Sequence, residues 1–129
     1  MALNRALRLR KSSDFQRVRQ QGRSISSRLL MLACVPNNLS SVRIGFVVSK
    51  RISKHAVVRN HLKRLLGEAI RPMLADLPIG WDIVISAKNQ TLGADLRIIT
   101  QDVAILLRRA QLLSSQGQQE VENAQRSQP

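Results

Sequence analysis

The stretch from Lys50 to Leu66 constrains this chain more than any other. Seven of its seventeen residues are Lys, Arg or Asn, and it holds no Asp or Glu. Val58, Leu62, Leu65 and Ala69 follow one another at steps of four, three and four, the spacing of one apolar stripe on an α-helix. Arg59 and Lys63 are four apart, as are Asn60 and Arg64, so these side chains project as one polar surface beside the stripe. A helix face built only for solubility mixes its signs. Like charges four apart repel, and an uncompensated cluster of them points to an anionic partner.

The charge of the whole chain points the same way. Its 129 residues suit one domain with a modest core. Lys and Arg number 21 against 8 Asp and Glu, a net charge of +13. Residues 1–71 hold 16 basic and 2 acidic residues, whereas residues 72–129 hold 5 and 6. A basic half joined to a neutral one is an electrostatic footprint for nucleic acid and, less well, for an anionic membrane surface. The aromatic residues are Phe15, Phe46 and Trp81, so the core must come from Leu, Ile, Val and Ala. Cys34, the single cysteine, sits in an apolar run and reads as a buried free thiol in a reducing cytoplasm. No apolar run approaches the ~20 residues needed to span a bilayer. The start, Met1 to Lys11, is Arg-rich and acid-free without the apolar centre of a secretory signal. It reads as a transit peptide or, better, as a flexible basic arm.

The patterns place the elements in order. Ser12 or Ser13 can cap a first helix over about 13–21, with Asp14 in its first turn and Gly22 as its stop. Phe15 on that helix is either a core anchor or a stacking platform for a base. Residues 24–35 read as a strand closed by Pro36-Asn37-Asn38, although periodicity alone also allows a helix there, and Val42, Ile44, Phe46 and Val48 alternate with Arg43, Gly45, Val47 and Ser49 as a second strand. Together these two runs predict a hairpin. Ser53 is the expected cap of a helix over about 55–74 that Pro72 bends or ends near Arg71. Pro78-Ile79-Gly80 is a turn, and Trp81 to Ala87 is a third strand. A last helix over about 94–113 carries Leu96, Ile99, Val103, Leu106, Ala110 and Leu113 on one stripe. The stripe fits a helix lying on a sheet better than a coiled-coil seam. The chain thus divides into an arm over 1–11, a domain over 12–113, and a polar tail over 114–129 with too little to bury for order. The order α-β-β-α-β-α gives an α+β fold, an α/β sandwich with one central sheet.

Catalytic groups are hard to find. The acids Asp14, Glu68, Asp76, Asp82, Asp95, Asp102, Glu120 and Glu122 are scattered, in places that helix caps and solvent faces explain. His55 and His61 are six apart, which is no same-face spacing on a helix. There is no glycine-rich phosphate loop and no zinc signature. From the residues alone, this is a basic α/β RNA binder without catalytic groups of its own.

One family matches the central stretch. The run Arg43-Ile44-Gly45-Phe46-Val47-Val48-Ser49, then Lys50-Arg51, then Ala56-Val57-Val58-Arg59-Asn60-His61-Leu62-Lys63-Arg64 resembles the signature of the bacterial ribonuclease P protein subunit. In that family a strand ends in a Ser-Lys-Lys-like turn and a helix carries Ala-Val-x-Arg-Asn-Arg-x-Lys-Arg. The departure is His61, where the family usually has Arg. The resemblance runs from about Arg8 to Leu113. It implies a mixed sheet with a left-handed β-α-β crossover of the kind found in a ribosomal-protein domain, against the general right-handed rule. It implies a subunit of an endoribonuclease whose catalytic centre lies in an RNA. That protein binds the RNA subunit and the 5′ leader of precursor tRNA, assists magnesium-dependent removal of the leader, and works in the cytoplasm with no membrane. Carried onto this sequence, Lys50, Arg51, Ser53, Lys54, Arg59, Asn60, His61, Lys63 and Arg64 are expected to meet the RNA subunit, and Asn60 to reach a hydrated magnesium ion. The family's leader cleft lies on the sheet face beside the first helix and uses several aromatics. Phe15 matches one of them, while Arg19 and Ala33 stand where two others would be. Phe15 and Arg19 are the expected leader contacts. Two other readings stay open: a basic RNA-binding or ribosome-associated module without a nuclease role, and an interaction protein that dimerises through its last helix.

Overall fold

The alternating run Trp81–Ala87 forms the strand on which the molecule is assembled. The computed structural model describes residues 7–113, so the expected tail and the first six residues of the expected arm lie outside the described residues. The elements are α1 (Ser12–Gln21), β1 (Arg23–Ser26), β2 (Leu30–Pro36), β3 (Arg43–Val47), α2 (Ala56–Ile70), β4 (Trp81–Ala87) and α3 (Leu96–Arg109). Short 3-10 turns occupy Arg71–Asp76 and Asn89–Thr91. The sheet order is β1-β2-β4-β3, with β4 antiparallel to β2 and parallel to β3. Three helices and one mixed sheet make the α+β fold that the sequence implied.

Two strand expectations are corrected. The run 24–35 is two strands, not one. Ser26-Ser27-Arg28 turns the chain so that β1 folds back on β2, with the Ser27 N–H donating to Leu30 O at 2.8 Å. The expected hairpin between the run 24–35 and the run of Val42, Ile44, Phe46 and Val48 does not form, because β4 lies between β2 and β3 and pairs with both. The Asn-rich turn is present all the same. The Leu39 N–H donates to Asn37 Oδ1 at 2.8 Å, and the loop is tied to the start of β4 through Asn37 N to Gly80 O at 2.9 Å and Gly80 N to Ser41 O at 3.0 Å. Gly80 has φ of +87°, a left-handed conformation that disfavours any side chain there.

The helix ends differ from expectation in physically legible ways. The N-cap of α1 is Lys11 and that of α2 is His55, and neither makes a side-chain cap bond. Ser53 does not cap α2 directly. Its Oγ accepts from the His55 N–H at 3.1 Å, and Arg59 Nη1 reaches back to Ser53 O and Lys54 O at 2.9 Å each. An arginine inside the helix thus ties down the loop before it through carbonyls, while no side chain caps the first N–H groups of α2. Pro72 ends α2 as expected, and the chain tightens into the 3-10 turn. Gly22 stops α1 with φ of −81°, so it is needed for space and not for conformation. A Cβ there would lie 2.4 Å from Val18 O and 2.6 Å from Cys34 O.

The core lies on one face of the sheet. Leu30, Leu32 and Cys34 of β2, Ile44 of β3, and Ile83 and Ile85 of β4 point toward Leu62, Leu66, Ala69 and Ile70 of α2 and Ile99, Val103, Leu106 and Leu107 of α3. All are buried, as an aliphatic core requires. The predicted stripe of α3 holds except at Leu96, which is 40 % exposed. On the other face α1 covers part of the sheet through a small cluster of Leu9, Val18 and Val84, with Phe15, Ala33, Val35 and Val47 around it. Leu9 is buried, its N–H donates to Ile44 O at 2.9 Å, and Arg8 bridges to Ile44 in parallel. This described end of the expected arm is held along the outer edge of β3.

Candidate nucleic-acid interface

The basic face of α2 opens onto a cleft, and the acid of this helix, Glu68, pairs with Arg71 at 4.0 Å. Asn60, Lys63 and Arg64 form one wall, Arg8 and Arg10 the other, and the floor is apolar, with Phe15 and Phe46 among its residues. The cleft holds about 420 Å³ and sits at the outer edge of β3. Lys50, Arg51, Lys54 and His61 are exposed, and Arg59 is half-buried by its bonds to the loop before α2. The first turn of α2 carries no acid, so its dipole end and free N–H groups are unopposed. Of the predicted RNA contacts, the structure brings Asn60, Lys63 and Arg64 to one cleft and adds Arg8 and Arg10, which the helical spacing could not reveal.

A second cleft, of about 410 Å³, lies on the sheet face that α1 leaves open. Its rim carries Arg19 and Arg51, and its floor includes Met31, Ala33 and Val47. Phe15 and Arg19, predicted together, therefore part company. Arg19 faces this sheet cleft, whereas the Phe15 ring lies over Gly45 and lines the first cleft. A Cβ on Gly45 would come within 2.4 Å of Cζ of that ring. Phe15 is half-buried and packs as a core anchor of the small cluster. Arg51, predicted among the α2 contacts, instead shares the sheet cleft with Arg19.

Sequence reasoning missed the charge centre beneath α1. Asp82 is fully buried. Its Oδ1 accepts from Arg43 Nε at 2.9 Å and Asn37 Nδ2 at 2.8 Å, and its Oδ2 accepts from Arg43 Nη2 at 2.7 Å and from Arg17. Asp14 extends the network with an ion pair to Arg43 at 3.6 Å. Burial pushes the Asp82 carboxyl up, but the hydrogen bonds from Arg43 and Asn37 and the charges of Arg43 and Arg17 outweigh it. The carboxyl is held below its ordinary range. Asp102 is also buried, accepting from Ser27 Oγ and from the Leu29 N–H, and so pins the β1–β2 turn to α3. Solvent faces do not account for these two acids. Cys34 is buried as expected. Burial pushes its thiol up, against the opposing charge and hydrogen bond of Arg23.

A magnesium site does not fit the protein alone. Hard divalent cations take oxygen ligands, with carboxylates foremost. Asn60 stands beside Lys63 and Arg64, and no carboxylate lines its cleft. Among the described residues no group of three or more His, Cys, Asp or Glu comes together to hold a metal ion. Nor is any described helix long and apolar enough to cross a membrane.

Comparison with known proteins decides the family. The Ribonuclease P family model matches residues 3–111, most of the chain. The chain belongs to the ribonuclease P protein family. A ribonuclease P protein component from Chloroflexus aurantiacus is 39 % identical over 112 residues, covering 86 % of this chain and 82 % of the relative. One from Caldanaerobacter subterraneus is 35 % identical over 105 residues, covering 81 % and 90 %. The solved ribonuclease P protein of Staphylococcus aureus superposes with a TM-score of 0.77 at 26 % identity, over 85 % of this chain and all of that one. That of Thermotoga maritima does so at 0.71 and 27 %, over 79 % and 96 %. The ribonuclease P proteins share the sheet and three helices seen here.

Proposed function

We propose that this chain is the protein subunit of a bacterial ribonuclease P, binding the catalytic RNA subunit through α2 and the 5′ leader of precursor tRNA through the sheet cleft. The observation that carries the reading is the basic face of α2, its first turn free of acid and its Asn60, Lys63 and Arg64 set along a cleft that no acid lines, in a chain of this family. Lys50, Lys54, Lys63 and Arg64 supply point charges and forks for phosphates, and the start of α2 adds backbone donors. Asn60 offers a donor and an acceptor to a base edge or a 2′-hydroxyl. His61, in place of the family's Arg, donates a hydrogen bond to the RNA. In the sheet cleft Arg19 and Arg51 grip leader phosphates over a floor of Met31 and Ala33, so leader binding depends on charge more than on stacking. The protein positions substrate, and the magnesium-dependent chemistry belongs to the RNA.

The test is cleavage of precursor tRNA by a bacterial ribonuclease P RNA at low magnesium, with and without this protein. Cleavage at the mature 5′ end that depends on the protein is the expected result. If the RNA gains nothing while the protein still binds RNA with a steep salt dependence, the chain is a general RNA-binding module.

A further inference from the structure

The cleft between Arg8–Arg10 and α2 has more in it than phosphates require. A patch that meets only backbone charge can be flat and polar, as on a duplex. Here cations on two sides overlook an apolar floor that includes the half-buried Phe46, and no acid lines the space. Its volume of about 420 Å³ falls within the ~300–1,000 Å³ of small-ligand sites and cannot take in a duplex. Gly67 on the α2 wall adds no side chain to it, whereas the space over Gly45 is taken by the Phe15 ring. RNA bases are read most often when splayed out of a helix, stacked on an aromatic ring and hydrogen-bonded along an edge. We infer that this cleft seats one unpaired base of the bound RNA, its ring against Phe46, its edge at Asn60, and its flanking phosphates on Arg8, Arg10, Lys63 and Arg64. This deepens the RNA-binding reading of α2 and rests on it.

The probe is a bacterial ribonuclease P RNA bound to the full chain over a range of salt. Phe46→Leu removes the ring and no charge, so affinity is expected to fall about tenfold while the slope of log K against log salt stays the same. Phe46→Tyr keeps the ring and should keep the affinity. A blunt RNA duplex, whose bases are stacked inside, should bind Phe46→Leu as it binds the wild type. If Phe46→Leu loses cooperative unfolding, Asn60→Ala on the exposed wall replaces it, with the same loss expected at unchanged slope. Wild-type affinity in the folded variant, with Lys63→Ala/Arg64→Ala still weakened, overturns the base site and leaves the basic-face reading standing. Wild-type affinity in the Lys63/Arg64 variant as well overturns both.

Discussion

Asp82 holds together parts of the chain that are far apart in sequence: Arg17 on α1, Asn37 in the loop after β2, and Arg43 on β3. Removing one partner from a buried pair leaves the others without compensation, at a cost of about 3–5 kcal/mol. Asp82→Ala should therefore lower stability by about 3 kcal/mol, read from urea unfolding. The pH dependence has a definite sign. The folded carboxyl lies below its ordinary value of 3.8, so near that pH the unfolded chain binds more protons and stability rises with pH. The contribution is complete above the ordinary value and is lost as pH falls toward the folded one. Wild type should lose more stability than Asp82→Asn between about pH 6 and about pH 3. Nothing local marks this acid: Asp82 sits in an alternating strand where a polar residue reads as solvent-facing, and Arg17 is 65 positions away. The α2 cations were legible because their spacing is a local matter of helix geometry.

At the scale of elements, the helix faces and the strands β2, β3 and β4 followed from periodicity, whereas the short β1 and the strand partners did not. Alternation says that a run is half-buried but not which neighbour it takes, so β4 between β2 and β3 was invisible to it. The placement of α1 depends on one close approach. Gly45→Ala drives a methyl group into the Phe15 ring and toward Leu9 Cβ at 3.2 Å. Overpacking of this kind costs about 1–3 kcal/mol, and Phe15 should be forced off the sheet, which an amide NMR spectrum of α1 would report. For α2, replacing Lys50, Arg51, Lys54, Arg59, Lys63 and Arg64 with Ala should flatten the salt slope of RNA binding by about 0.7–0.9 for each phosphate released. An unchanged slope would remove the patch assignment. Within that set, Arg59→Ala should also loosen the start of α2, because its guanidinium holds Ser53 O and Lys54 O.

Over the whole molecule the charge is divided by position in the chain. The half that carries α1, the first three strands and α2 holds all of the positive excess, whereas the later half, slightly acidic, supplies β4 and α3. The two halves cannot fold separately, because β2 and β3 meet only through β4. A fragment ending at residue 80 should therefore keep at most the β1–β2 hairpin and show far less sheet by circular dichroism than the full chain, despite containing three of the four strands. The same arrangement sets a schedule for synthesis. Chains emerge at about 5–20 residues per second, and this sheet must wait for its second-to-last element to leave the ribosome. Until then the most basic part of the protein is without the strand that joins its β2 to its β3. Assembly of the two basic clefts thus comes late in the life of each nascent chain.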